Sequence, residues 1–429
     1  MQPYLPGMPL FQFFWNKLIG HFSDFHLFIG NSLLAVSMML GMTKYINWRQ
    51  YYLVIPMTFL LISFPLISYN SGFDRANFYS SLFIDPMLAI VFIYTLVQLF
   101  EDPFSDKFRL LKFSLSLFFL ILLKDSGLMF AIIIVALAFI LKWSVYNKEK
   151  QSNTKRFFIY AVPIASVLLP YFSWKMILKI FRVSTTSSNQ LYISALSQSE
   201  SCKTAIHSFL QALIEKPIVI SSNILISRGI SFLCMFALFL LLSIVLIAQL
   251  KKEERKKTII IFVMLILANI CFVAGLLIVY IGSLGPSLPS YPRYINTIVL
   301  ADCLFLFYLF VYCLMKREAI RPERNRIMKG IALSALTIFL IIAPLQKQSM
   351  PLAYSRALAD GDKISDIILH SVESNHDSAK INVFYVAGSD EYGPSQTHHK
   401  AYYNLLGHNI IIRNFWSETS IIDREVQTA

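Results

Sequence analysis

The chain has 429 residues, of which 56% are hydrophobic, 14% aromatic and only 15% charged. An ordinary soluble domain carries about 25% charged residues, so this composition excludes a pair of solvated globular domains. The net charge of +13 sits largely in short gaps between apolar runs, as at Lys251, Lys252, Arg255, Lys256 and Lys257, which is the pattern that orients membrane helices and not a nucleic-acid footprint.

The first element in chain order, Met8 to Gly20, carries Phe11, Phe13, Phe14, Trp15 and Leu18. It reads as a short interfacial helix, or simply as the lead-in to the first span. Uncharged runs such as Ser126–Leu141, Phe232–Ala248 and Thr258–Tyr280 approach or exceed the ~20 apolar residues that cross a bilayer as a helix. Ten candidate spans follow: 25–43, 51–69, 82–100, 110–123, 126–143, 157–172, 229–249, 258–281, 295–315 and 330–345. The expected fold is an all-α polytopic membrane protein of about ten transmembrane helices.

Joining the spans alternately gathers most basic residues of the short loops on one side, among them Lys44, Lys107, Arg109, Lys142, the 251–257 cluster and Lys316–Lys329. That side is expected to be cytoplasmic, which places both termini outside the cell. A translocated N-terminus with no helix before it leads to the expectation that a first helix and loop are missing from this chain. The membrane domain is expected over 1–345, with an outer loop at 173–228 that is amphipathic near Ala205–Ile214. Residues 346–429 are expected to form a small extracytoplasmic α/β domain, with strands at Ile381–Ala387 and Asn409–Arg413 and a helical patch at His399–Leu406.

The informative polar residues lie at the outer ends of the spans. Asp74 and Arg75 occupy the loop from Asn70 to Tyr79, Asp85 begins the third span, Lys124 and Asp125 break two short spans, and Arg293 with Tyr294 opens the ninth. Ionisable groups at that depth pair with one another or line a polar cavity. A carboxylate beside cations suits a substrate with a phosphate head and a lipid tail. Arg293 and Lys124 would hold phosphate oxygens, and Asp85 or Asp74 would accept a proton from an incoming hydroxyl. The same residues would also serve as a solvated loop pair and as cations snorkelling to headgroups. Asp302, deeper in its span, reads as a packed, paired or protonated acid. The five cysteines lack paired spacing, and His398, His399 and His408 fit no common metal pattern, so no metal site is assigned.

Four stretches resemble the GT-C superfamily of integral-membrane glycosyltransferases. Tyr4-Leu-Pro-Gly-Met-Pro-Leu-Phe-Gln-Phe-Phe14 is similar to the Tyr-Pro-Pro-Gly stretch after that family's first outer loop, with Pro6 kept and Leu5 in place of the first proline. Phe83-Ile-Asp-Pro-Met-Leu88 is similar to the acidic start of a later span, Leu123-Lys-Asp-Ser-Gly-Leu128 to a short break between spans, and Ser290-Tyr-Pro-Arg-Tyr294 to an outer Arg-Tyr element. The resemblance implies a polyprenyl-phosphate-linked sugar as donor, a cell-surface glycan or lipid-linked acceptor, and inversion at the anomeric carbon with a divalent metal optional. The family's principal acidic residue precedes the Tyr-Pro-Pro-Gly stretch, so no catalytic base carries over. Asp85 and Asp74 are the candidate catalytic residues here, and Arg293, Lys124 and Tyr294 the phosphate-binding ones.

The expected setting is a multi-pass protein of a bacterial plasma membrane, with membrane lipids, the sugar donor and the glycan acceptor as partners and no nucleic acid. A transporter or flippase of lipid-linked sugars, a polysaccharide polymerase or ligase, and a truncated inactive paralogue are the rival expectations.

Overall fold

The computed structural model of the chain describes residues 5–20, 24–44, 58, 61, 84–146, 153–181, 199–216, 231–288, 290–318, 381–386 and 410–415. The chain divides into two compact units, Met1–Ala343 and Pro344–Ala429. The helices of the first unit are α1 (Gly7–Ile19), α2 (Asp24–Gly41), α3 (Ile84–Val97), α4 (Lys107–Leu123), α5 (Asp125–Leu141), α6 (Asn153–Ile180), α7 (Ser199–Glu215), α8 (Phe232–Ala248), α9 (Lys252–Val279) and α10 (Tyr291–Glu318). The second unit carries two strands, β1 (Ile381–Val386) and β2 (Ile410–Phe415).

Helix α3 is the axis of the first unit. Its sequence is apolar on every side, and such a helix is stable only when surrounded. All of its residues but Ile84 and Tyr94 are buried. It packs along α10, with Phe92 stacked on Phe130 of α5 and Phe100 at its end wedged against Tyr308 and Tyr312 of α10. In lipid no hydrophobic term drives such helices together, so dispersion between packed side chains and polar contacts at the ends must hold the axis.

Those end contacts are dense where α3 finishes in a 3-10 turn, Gln98–Phe100. Lys257 of α9 donates to the Phe100 carbonyl at 2.9 Å, which suits the negative end of a helix. The same ammonium pairs with Glu254 at 2.7 Å, and the Tyr312 hydroxyl donates to Glu254. Lys142 reaches Asp102 at 3.0 Å, and Lys44 reaches Glu101 at 3.2 Å.

Outward faces are as apolar as the core. Leu233, Leu241 and Ile244 of α8 and Leu115 of α4 are exposed, as lipid-facing side chains would be. Four helices are long and apolar enough to cross a membrane: Asp125–Val145, Phe158–Ile180, Lys252–Gly282 and Tyr291–Cys313. Shorter apolar helices cover His26–Gly41, Ile84–Phe100 and Phe232–Ala248. The expected count of ten spans is therefore not reached among the described residues. Candidate span 330–345 lies outside the described residues, as does nearly all of 51–69.

One boundary needs correction. The span expected over 157–172 is part of α6, which continues to Ile180 and takes up the first residues assigned to an outer loop at 173–228. Lys175 and Lys179 interrupt the apolar pattern there. Both nonetheless lie within the helix, and the Lys175 ammonium stands 5.7 Å from the Tyr171 ring centroid. Pro163 and Pro170 lie inside the same helix, which neighbouring helices and local side-chain bonds permit in membranes.

Helix α1 forms where the interfacial helix is expected. Met8 is buried, whereas Phe13, Phe14 and Leu18 are exposed. It ends at Gly20, whose φ of 89° only glycine adopts without cost, and the Gly20 N–H donates to Asn16. In the second unit β1 and β2 run parallel, from Ile381 opposite Ile410 to Val386 opposite Phe415. The helical patch expected at His399–Leu406 lies outside the described residues, so the paired strands do not by themselves make the expected α/β domain.

Candidate functional site

Three helix N-termini meet at the other end of α3. Each start is written in the sequence. Pro86 and Pro292 have no N–H to leave unsatisfied in a first turn. Lys124 is fully extended, at φ −161° and ψ 154°, and so breaks α4 from α5. Gly127 makes that break possible. Its N–H donates to the Lys124 carbonyl at 2.7 Å, and a Cβ there would stand 2.1 Å from the Leu120 carbonyl oxygen.

Asp85, in the first turn of α3, is buried at 5% exposure and points both oxygens at cations. Lys124 Nζ donates to Oδ1, and Arg293 Nε lies 3.4 Å from Oδ2. Arg293 also donates from Nη2 to the Tyr294 hydroxyl at 2.8 Å. Lys124 Nζ and Arg293 Cζ each lie 4.7 Å from the centroid of the Tyr294 ring, a cation–π arrangement. Two cations, one carboxylate and one tyrosine thus form one cluster, and the positive ends of three helix dipoles add to the cations. The arrangement carries an excess of positive charge and is chemically suited to an anion.

Of the five expected site residues, the structure brings together Asp85, Lys124, Arg293 and Tyr294. Asp74 lies outside the described residues. Asp125 begins α5 and is exposed. Asp302 is buried well below this level and accepts from Asn269 Nδ2 of α9 at 2.8 Å.

Two neighbours escape the sequence reading. Gly7 of α1 sits so close to Leu122 that a Cβ would fall 2.7 Å from its carbonyl oxygen, which fixes the backbone two residues before Lys124. Phe209 of the amphipathic α7 packs on Tyr280 and on Tyr291, two residues before Arg293, and Lys216 lies 5.4 Å from the Tyr291 ring centroid. The amphipathic pattern signals α7, but nothing in it names the aromatic residues it covers.

The described residues do not fit a divalent metal. No group of three or more His, Cys, Asp or Glu side chains among them could hold one, and the Asp85 carboxylate already faces two cations that would repel it. Set against family models, curated proteins and solved structures, the chain matches none of them.

Proposed function

We propose that the chain is an integral-membrane glycosyltransferase that moves a sugar from a polyprenyl-phosphate donor to a cell-surface glycan or a lipid-linked acceptor. The observation that carries this reading is the pairing of Lys124 and Arg293 across Asp85 at three converging helix N-termini. The finer architecture belongs to the same proposal: about ten spans in a bacterial plasma membrane, both termini outside, and residues 346–429 as an extracytoplasmic α/β domain that meets the acceptor.

The chemistry follows from charge. A polyprenyl-phosphate sugar is a phosphodiester with one negative charge. As the bond from the anomeric carbon to the phosphate oxygen breaks, that electron pair stays on the leaving polyprenyl phosphate, which gains a second negative charge. Donors aimed at charge that develops only in the transition state lower the barrier. Arg293 offers N–H groups in a fork that matches phosphate oxygens, and Lys124 adds a point charge. The acceptor hydroxyl oxygen bonds to the anomeric carbon from the opposite face, and its proton passes to a carboxylate, with Asp74 and Asp85 as candidates. With both oxygens turned to cations, Asp85 also spaces and orients Lys124 and Arg293.

The test uses the purified chain in lipid nanodiscs with a panel of synthetic polyprenyl-phosphate sugars as donors and an extract of cell-surface and lipid-linked glycans as acceptors, reading release of polyprenyl phosphate. Release that depends on Arg293 and Lys124 supports the proposal. Release by wild type and Arg293→Ala alike would remove Arg293 from the site, and no release from any donor would favour transport. Among the described residues, the buried Asp302–Asn269 pair is what favours a transporter of lipid-linked sugars, since polar pairs within a span line many transport routes.

A further inference from the structure

Toward the opposite end of α3 from Asp85, a groove of about 330 Å³ lies between α2, α3 and α4. Its walls include Met38, Tyr94, Leu111, Leu115 and Phe119, and among the described residues Lys112 is the charged one that lines it. The volume falls within the ~300–1,000 Å³ typical of small-molecule sites. Leu111 and Leu115 are exposed on the same side, so the groove opens where lipid tails would run.

The groove is built into the fold. Tyr94 is set between Gly41, where a Cβ would stand 2.9 Å from the tyrosine ring, and Lys112, whose Nζ lies 5.2 Å from the ring centroid. Gln98 donates to Ser116 at 3.0 Å and ties α3 to α4.

Charge gathers at one end. Lys44 and Arg109 both pair with Glu101, at 3.2 and 3.4 Å, and Arg109 also reaches Asp106 at 3.1 Å. With Lys112, three cations face two carboxylates among the described residues. Burial holds the Lys44 ammonium below the usual lysine range, the nearby Lys112 and Arg109 add to that, and Glu101 opposes it.

We propose that this groove binds an anionic phospholipid of the surrounding leaflet, with one acyl chain along Met38, Leu111, Leu115 and Phe119 and the headgroup phosphate against Lys112, Lys44 and Arg109. An anionic head answers the excess of cations, and basic pockets between membrane helices take such heads. A free phosphate would gain nothing from the apolar walls, and a zwitterionic lipid brings its own cation to a site that already has three. Lys112 stands about 18 Å of helical rise from Lys124 along α4, so this lipid would not compete for the Asp85 end.

Native mass spectrometry of the delipidated full chain in detergent tests the assignment, with phosphatidylglycerol and phosphatidylcholine of identical chains as probes. The expected result is at least fivefold preferential retention of phosphatidylglycerol, cut at least fivefold by Lys112→Glu and unchanged by Lys252→Glu at the start of α9. Leu115→Trp, which fills the groove without touching its charge, should also expel the lipid, and it decides the matter if Lys112→Glu does not fold. Equal retention of the two lipids overturns the proposal, as does equal loss in Lys112→Glu and Lys252→Glu. Displacement of phosphatidylglycerol by millimolar inorganic phosphate would mark an anion site and overturn the lipid assignment, as would full retention in Leu115→Trp.

Discussion

Asp85 and Arg293 each stand in the first turn of a helix, and the 3.4 Å ion pair between them ties the start of α3 to the start of α10. Both groups are largely withdrawn from solvent, with the Asp85 side chain at 7% exposure and Arg293 at 24%. A pair in that setting is costly to break and well placed to meet an anion that arrives with its own charge.

Arg293→Ala is expected to lower transferase turnover by about 10²–10³, the usual effect of removing one donor from a developing anion. Lys124 still neutralises Asp85, so the folding cost should stay within ~1–2 kcal/mol. Arg293→Lys should recover part of the activity. Turnover and thermal melting of the same preparation check this, and a melt that collapses together with activity would leave Arg293 a purely structural role.

Asp85→Asn removes the carboxylate that holds two cations together. A loss of ~3 kcal/mol is expected, because the remaining charges are left poorly compensated. The double variant Asp85→Asn, Lys124→Gln should be more stable than the sum of its parts by at least ~1 kcal/mol. Strict additivity in denaturation of the detergent-solubilised chain would show that the two residues are not coupled.

Gly127→Ala and Gly20→Ala separate two uses of glycine. The first drives a Cβ to 2.1 Å from the Leu120 carbonyl oxygen and must shift the break that carries Lys124. It is expected to cost ~1–3 kcal/mol and most of the turnover. The second meets no atom within 4 Å and pays only for its φ of 89°, about 1–2 kcal/mol, with turnover intact. Equal loss of turnover in both would separate Lys124 from catalysis.

Asp302→Asn keeps a side-chain carbonyl oxygen to accept from Asn269 while removing an ionisable group. Under the transferase reading, turnover should stay within about twofold of wild type, a ratio near 0.4 kcal/mol. Loss of lipid-linked sugar movement across proteoliposomes, with transferase chemistry undetected, would decide for transport.

Asp106 caps α4, and its carboxylate accepts from the Arg109 N–H at 2.9 Å. That bond holds the carboxyl below its usual range, assisted by Ser105 and by the Arg109 charge. The folded form therefore binds a proton less readily than the unfolded one. Its stabilisation is complete above the unfolded value, near pH 4, and is lost as pH falls through the lower folded value. The melting difference between wild type and Asp106→Ala should be full at pH 7 and narrow below about pH 4.

The apolar runs were legible because lipid leaves little latitude: a helix that must satisfy its own backbone in hydrocarbon declares itself by length and composition. Asp85, Lys124 and Arg293 were legible one at a time, each as a charge at the end of such a run. That they share one membrane level is legible too, but which carboxylate meets which cation is not, since residues 85, 124 and 293 are joined by packing and by no local pattern. The basic residues at the Phe100 end were read only as an orientation signal, yet Lys44, Lys142 and Lys257 are ion-paired to Glu101, Asp102 and Glu254. Composition counts charges but does not assign their partners. The length of α6 was missed for a related reason, because Lys175 reads as a loop residue until Tyr171 is seen beneath it.

Charged contacts at both tips of α3 turn that helix into a strut. One tip is fastened to Lys124 and Arg293, and the other to Lys257 through the Phe100 carbonyl, with Lys142 and Lys44 anchoring the residues that follow. A helix pinned to its neighbours at both ends moves with them as one piece unless one of these contacts opens. The spacing of the cations around Asp85 is therefore tied to the packing of α3 against α5 and α10.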